Sequence, residues 1–196
     1  MDEQQVQEAA PRYNYISPEE YLATERVAGT KSEYLHGMVL AMAGAGLTHN
    51  QIEHNLHLEL GKLLNGSNCH MLGSNMRVTN PSHDSYMYPD ALVYCGEPEM
   101  ADNQFDTLTN PVVIFEISSP STGGFDNARK FFYYQEIPSL REYYMIETST
   151  RQVTMVRKQA GKSWLFETTS AGTTDITLPV LGLSLPLDAL YNSTGL

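Results

Sequence analysis

The sequence VIFEIS, residues 113–118, is an apolar run that carries a single carboxylate, Glu116. Alternation along a strand places Ile114 and Glu116 on one face, and Phe115 and Ile117 on the other. Burying an ionised carboxylate without a partner costs on the order of several kcal/mol. Glu116 therefore either pairs with a lysine or arginine inside the fold, or helps to hold a cation.

A second apolar run, YPDALV at residues 88–93, carries Asp90 directly after Pro89. Proline cannot donate a ladder hydrogen bond, so it suits a strand start or a bulge. Asp90 is open to a simpler interpretation as a turn residue, because Pro-Asp is common in turns. If Asp90 and Glu116 lie on neighbouring strands, however, a shared divalent cation such as Mg²⁺ would offset their repulsion.

Composition indicates a globular protein with one domain. The chain has 196 residues, of which 41% are hydrophobic and 18% are charged, and no apolar run reaches the length of a membrane span. We expect a disordered tail over residues 1–12 and one domain over residues 13–196. The polar, acidic start is not a secretory signal, which favours a cytoplasmic protein. Cys69 and Cys95 have no motif spacing and are expected to be buried thiols rather than a disulfide.

The net charge of −11 argues against one class of function. Proteins that grip a nucleic-acid backbone usually present a basic patch. Here 12 lysines and arginines face 23 acidic residues. Tight, sequence-independent DNA binding is therefore not what this composition predicts.

The order of predicted elements indicates an α/β (α+β) fold, a mixed sheet covered by helices around one core. Ser17 caps the first helix and Glu20 closes its capping box, and Thr48 caps the second, which has a clear apolar stripe. The predicted elements are a helix from Pro18 towards Gly29, a hairpin over 31–43, a helix over 49–65, strands over 69–78, 86–95 and 111–118, a helix over 126–136, strands over 142–147, 152–158 and 163–168, and a short strand with a helical turn over 183–191.

Lys130 lies on the helix that follows the Glu116 strand. Asp126, Lys130 and Tyr134 are spaced four apart and share one helix face. Lys130 could reach the two acids and stabilise negative charge on a phosphate. The plainer alternative is a salt bridge to Asp126.

The second helix offers a different kind of site. His49, Glu53 and His57 are also four apart, which could form a zinc site. The surrounding pattern matches neither orientation of the zinc-protease motif, so a solvated polar face is the favoured interpretation. His49, nearest the preceding glycines, is kept as a site candidate, together with Glu33 of the hairpin.

Taken in order, these features resemble the Uma2 family, formerly the domain of unknown function DUF820, which is expanded in cyanobacteria. The resemblance covers nearly all of the chain beyond its first dozen residues. The matching pieces are EYLHGMV at 33–39, His49 with Asn55 and Leu56, Pro89 and Asp90, EISSPST at 116–122, Asp126 with Lys130 and Tyr134, EYYMI at 142–146, and LGLSL at 181–185.

The resemblance implies a restriction endonuclease-like core of the PD-(D/E)xK nuclease superfamily, with a central mixed β-sheet flanked by helices. It further implies Mg²⁺- or Mn²⁺-assisted hydrolysis of phosphodiester bonds by a homodimer. The expected substrate is nucleic acid, DNA more readily than RNA, and the sequence leaves both open. Asp90, Glu116 and the backbone carbonyl of Ile117 would be the metal ligands. Lys130 would be the catalytic lysine, with Glu33 and His49 as further catalytic candidates.

One departure from the superfamily pattern bears on activity. The broad superfamily has a lysine two residues after the second acid, and this chain has Ser118 there. The family resemblance moves that role to Lys130, whose side chain must then reach the same point from a helix. If it does not, the alternative is a catalytically inactive module that binds a partner.

Overall fold

The computed structural model describes residues 15–118 and 128–196, and within them thirteen strands and several helices. The helices are α1 (Pro18–Glu25), α2 (Leu47–Leu63), α3 (helical over 128–134) and α4 (Leu187–Leu190), with a 3₁₀ turn at Pro179–Leu181. The strands are β1 (Ser32–Leu35), β2 (Met38–Ala41), β3 (Cys69–Gly73), β4 (Arg77–Thr79), β5 (Ser85–Met87), β6 (Ala91–Cys95), β7 (Thr107–Leu108), β8 (Val113–Ser118), β9 (Glu142–Glu147), β10 (Val153–Lys158), β11 (Trp164–Thr168), β12 (Asp175–Leu178) and β13 (Leu183–Pro186).

A six-stranded mixed sheet forms the centre of the fold, in the order β11-β10-β9-β8-β6-β3. Its middle strands β8 and β9 run parallel, whereas the other neighbours are antiparallel. The predicted mixed sheet flanked by helices is confirmed. In the described residues no helix is both long and apolar enough to cross a membrane.

Alternation along β8 divides the core as the sequence predicts. Val113, Phe115 and Ile117 face α2 and the C-terminal elements, in a cluster that includes the buried stripe of α2. Ile114 faces the other way, towards α3 and a second sheet. Glu116 therefore points at α3, on the face shared with Ile114.

The expectation of a single sheet across residues 69–95 is wrong. The chain leaves the six-stranded sheet after β3 and returns to it at β6. Between them, β4 and β5 belong to a second sheet, in the order β2-β1-β5-β4-β7. One break is the turn after Gly73, and the other lies at Pro89, where no backbone N–H is available to continue a ladder. The hairpin predicted over 31–43 is confirmed as β1 and β2.

Two helix starts differ in how well the sequence predicts them. Ser17 caps α1, and its side chain accepts a hydrogen bond from the Glu20 amide. Thr48 does not cap α2, which begins at Leu47 after Gly46 in extended conformation. The extended Gly46 backbone lets the helix start earlier, without a side-chain cap. The C-terminal strand and helical turn are confirmed as β13 and α4.

The expectation of free thiols is also wrong. Cys69 and Cys95 form a disulfide between β3 and β6. They are direct partners in the antiparallel ladder, with Cα atoms 3.9 Å apart. This pairing depends on strand register, which their 26-residue separation in sequence does not reveal. The predicted disordered tail, residues 1–12, lies outside the described part of the chain.

The apolar stripe of α2 packs on the sheet and so positions His49, and this packing can be tested by mutation. Leu56 is fully buried against β8, whereas Leu58 on the same helix is 48% exposed. Leu56→Ala should lower the free energy of unfolding by about 2–5 kcal/mol, because it leaves a cavity in the core. Urea denaturation followed by circular dichroism measures this.

Leu58→Ala is the matched control and should change stability by less than about 0.5 kcal/mol. Equal effects of the two substitutions would show that α2 does not pack on the sheet as described.

Candidate active site

Asp90 and Glu116 meet because of the register between β6 and β8. Ala91 pairs with Phe115 in this antiparallel ladder, so one step further along it Asp90 lies opposite Glu116. The Asp90 carboxylate also accepts a hydrogen bond from the Ile117 amide at 2.6 Å, through Oδ2. This contact fixes the Asp90 side chain over the end of β8.

Glu116 is 5% exposed and receives two donors from α3. The Lys130 ammonium lies 3.3 Å from each carboxylate oxygen of Glu116. One turn further along the helix, the Tyr134 hydroxyl donates to Glu116 Oε1 at 2.9 Å. The spacing of four residues puts both donors on the same face of α3, and that face covers the strand.

Glu33 completes the surroundings of Lys130. Its Oε1 lies 2.9 Å from Lys130 Nζ and accepts a hydrogen bond from the Tyr88 amide at 3.1 Å. Charged residues of a hairpin are usually exposed to solvent, but Glu33 is buried, at 7% exposed. The second sheet thus contributes a carboxylate to the same site.

His49 enters the site from the first turns of α2. Its Nε2 lies 3.2 Å from Asp90 Oδ1, and the other ring nitrogen, Nδ1, is buried without a hydrogen-bond partner among the described residues. Burial opposes protonation of this imidazole, but the contact with Asp90 leaves its pKa raised above the ordinary histidine value.

The electrostatics of the site are unbalanced towards negative charge. Burial raises the pKa of Glu116 well above its usual range; Lys130 opposes this shift, and the charges of Asp90 and Glu33 add to it. Lys130 is itself desolvated, yet Glu116 and Glu33 raise its pKa and keep it cationic. Glu33, Asp90 and Glu116 thus surround one ammonium, and a further cation would relieve their repulsion.

These groups line the wall of a cavity of about 580 Å³. It is bordered by Asp90, Glu116, Ile117, Lys130 and His49, and by the small residues over 43–45. The cavity can therefore hold a ligand larger than water, in contact with the two acids.

The donor set fits a hard divalent cation. Mg²⁺ is usually bound through one or two carboxylates, with waters and substrate phosphates completing its coordination. Asp90 and Glu116 offer carboxylate oxygens of this kind, and Ile117 borders the same cavity. Over residues 15–118 and 128–196, no group of three His, Cys, Asp or Glu side chains is placed to hold a metal on its own.

That last finding argues against the zinc alternative on α2. Instead of converging with His49, His57 packs against Gly73, where any Cβ would come within 2.8 Å of its ring. His57 and Gly73 line a second cavity, whereas Glu53 borders both that cavity and the one beside His49. The helical spacing of His49, Glu53 and His57 therefore does not produce a metal centre.

The structure brings together all six sequence candidates: Asp90, Glu116, Ile117, Lys130, Glu33 and His49. Asp126 lies outside the described residues, as does the 119–122 loop. Sequence reasoning assigned no role to Tyr134, although its spacing from Lys130 gave a signal. It also missed Lys31, a cavity-lining lysine that no local pattern distinguishes.

Solved structures provide a comparison for the fold. A chain from Anabaena variabilis, described as "a putative nuclease belonging to DUF820", superimposes with a TM-score of 0.75. The match covers 91% of this chain and 99% of the other, at 16% sequence identity. It shows that this mixed-sheet fold is one already found in a protein of that description.

Sequence comparisons give the family. The family model for Uma2, described as "Putative restriction endonuclease", matches residues 18–188, so the chain belongs to the Uma2 family. Two relatives from Synechocystis sp. are similar over most of their length. The "Uncharacterized protein sll1609" is 35% identical over 76% of this chain and 85% of its own, and the "Uncharacterized protein slr1290" is 30% identical over 90% and 91%.

The hydroxyl of Tyr134 gives a test of the buried cluster. Tyr134→Phe removes one donor to Glu116 without changing the ring, and should lower the free energy of unfolding by about 1–3 kcal/mol, because a buried carboxylate oxygen loses the closer of its two donors. Chemical denaturation at neutral pH measures the change.

Tyr133→Phe removes a hydroxyl from the partly exposed neighbour on the same helix. It should leave stability within about 0.5 kcal/mol of wild type. A Tyr134→Phe protein as stable as this control would show that the hydroxyl does not support Glu116.

Proposed function

We propose that this protein is a metal-dependent nuclease that hydrolyses phosphodiester bonds, with DNA as the expected substrate and Mg²⁺ or Mn²⁺ as the cofactor. The observation that supports this most directly is the placement of Lys130. Ser118 occupies the usual lysine position, yet the Lys130 ammonium lies 3.3 Å from Glu116. Glu116 in turn lies opposite Asp90 in the β6–β8 ladder. A lysine from a helix thus reaches Glu116 of the carboxylate pair.

Asp90, Glu116 and the Ile117 carbonyl are the proposed ligands of the cation. A bound divalent cation would polarise the scissile phosphate and lower the pKa of an attacking water. The hydrogen bonds from Ile117 N–H to Asp90 and from Tyr134 to Glu116 hold the two carboxylates in place. Ordered ligands of this kind avoid reorganisation when the metal and substrate bind.

Lys130 is proposed to stabilise the negative charge that develops on the phosphate. Its ion pairs with Glu33 and Glu116 keep the side chain cationic and point it at the site. Fixed positive charge in a partly desolvated site stabilises a transition state more than it would in water. Glu33 therefore acts through Lys130, as a positioning residue.

His49 is proposed to assist proton transfer at the same site. Its Nε2 contacts Asp90, and it borders the cavity in which a substrate would lie. An imidazole is suited to proton transfer near neutral pH. The homodimer implied by the family resemblance and the cytoplasmic location favoured by the N-terminal sequence stay predictions.

Isosteric substitution of the proposed ligands tests this function. Glu116→Gln and Asp90→Asn should each lower Mn²⁺- or Mg²⁺-dependent cleavage of DNA by about 10³-fold or more, because several kcal/mol of transition-state stabilisation depend on the metal. Calorimetric titration with Mn²⁺ should show binding to wild type that is lost or much weaker in Glu116→Gln.

Glu59→Gln is the matched control, since Glu59 lies on α2 and pairs with Lys62 at the surface. It should cleave at the wild-type rate. Full cleavage by both ligand variants would contradict the proposed site. A wild-type protein that cleaves no nucleic acid with either metal would instead favour the inactive binding module.

A further inference from the structure

The distribution of positive charge limits the substrates that this site could hold. Many lysines and arginines in the described residues already pair with acids of the same chain. Besides Lys130, these are Arg26 with Asp102 and Asp106, Arg77 with Asp106, Lys62 with Glu59, Arg151 with Asp188, and Arg157 with Glu167. Residues 15–118 and 128–196 therefore provide little free positive charge for a nucleic-acid backbone.

Duplex DNA would meet an unfavourable surface. It carries one negative charge per about 1.7 Å of helix axis, and proteins that grip it neutralise several phosphates with lysine and arginine. This chain has a net charge of −11. Repulsion therefore opposes an extended duplex more than a single strand, which carries about half as many phosphates per unit length.

Among the described residues, two cationic side chains border the cavity, Lys130 and Lys31. Lys31 Nζ donates to the Ser74 carbonyl at 2.7 Å and to Asn75 Oδ1 at 3.1 Å, and it lies 5.3 Å from the centre of the Tyr88 ring. A lysine ammonium has three N–H donors, so one remains for a ligand in the cavity. Lys31 is thus a second fixed positive charge on the cavity wall.

The size of the cavity agrees with a short segment of chain. Its volume of about 580 Å³ is in the range of pockets that hold small molecules, about 300–1,000 Å³. Its lining includes the small residues Gly29, Gly44 and Ala45, whose side chains take up little of the space. A single strand can bend into such a cavity more readily than a stiff duplex, whose persistence length is about 150 base pairs.

We propose that the substrate is single-stranded nucleic acid, of which one or two phosphates enter the cavity, and that Lys31 binds the phosphate next to the scissile one. This inference rests on the proposed nuclease function. It assigns Lys130 to the reacting phosphate and Lys31 to substrate binding. Because few phosphates are neutralised, binding should depend only weakly on salt.

The first experiment compares strands and salt. Binding of a labelled 12-nucleotide DNA, an RNA of the same sequence and the blunt DNA duplex to the wild-type protein is measured with Ca²⁺ between 50 and 200 mM salt. A single strand should bind at least tenfold more tightly than the duplex. Its affinity should fall only about 3- to 7-fold over this range, since each neutralised phosphate adds about 0.7 to the salt slope of a single strand.

Tighter binding of the duplex, or a fall of 10²-fold or more for the single strand, would overturn the inference. The DNA and RNA arms identify which strand is bound. Cleavage of the same three substrates with Mn²⁺ is measured separately. Duplex cleavage in preference to single strands would contradict the inference and leave the nuclease function standing, whereas selective single-strand binding without any cleavage would contradict only the function.

The second experiment tests Lys31. Lys31→Met should raise KM for the single strand about tenfold, change kcat less than twofold, and reduce the salt slope by about 0.7, because one phosphate contact is lost. Lys31→Arg keeps the charge and should restore KM to within about threefold of wild type. Lys62→Met, on α2 away from the cavity, should match wild type.

A loss of kcat without a change in KM, or an unchanged salt slope in Lys31→Met, would refute the assigned role. If Lys31→Met fails to fold, Lys31→Gln takes its place, with the same expected rise in KM and the same loss of salt slope.

Discussion

The contact on which the rest of the site depends is the ion pair that Lys130 makes with Glu116 and Glu33. It joins the hairpin strand β1 to the central strand β8 and the helix α3, which follow much later in the sequence. Glu116 is almost entirely buried, so removing Lys130 would raise its pKa further and favour the protonated carboxyl, with loss of the ion pair. The second sheet therefore docks on the α3 face by way of a charged contact as well as an apolar one.

This arrangement is not the one that stability alone would favour. Apolar residues of similar volume are often at least as stable as a buried ion pair. Here the pair also carries an excess of acid, since Asp90 lies beside Glu116 and raises its pKa further. Two apolar clusters, one on each face of the six-stranded sheet, stabilise the fold around this unfavourable group. A local conflict held in place by the surrounding core is typical of a functional site.

Local patterns in the sequence predicted the parts of this structure that depend on periodicity. The alternation around Glu116 correctly gave the two faces of β8, and the stripe of α2 gave its buried side. What failed depends on register between distant segments. The break at Pro89 sends Tyr86 and Ala91 into different sheets, and the ladder between β3 and β6 pairs Cys69 with Cys95. Neither consequence can be read from spacing along the chain.

The candidate site follows the same division. Asp90 and Glu116 stand out because each interrupts an apolar run, and Lys130 because of the family resemblance. Glu33 looked like an ordinary hairpin acid, since its burial results from the docking of α3 and the Tyr88 backbone rather than from its own strand. Tyr134 and Lys31 gave still weaker signals, because a tyrosine on a helix and a lysine before a strand are common in any fold.

The acidity of the whole chain favours binding of the proposed divalent cation and opposes binding of the proposed nucleic-acid substrate. A net charge of −11 creates a negative potential that raises the local concentration of divalent cations and repels polyanions. The interior acids extend this potential into the cavity, where low dielectric strengthens it. A cation is therefore favoured at the site before any substrate arrives. Its charge then makes the cavity locally attractive to a phosphate, while the outer surface continues to repel a long, stiff backbone.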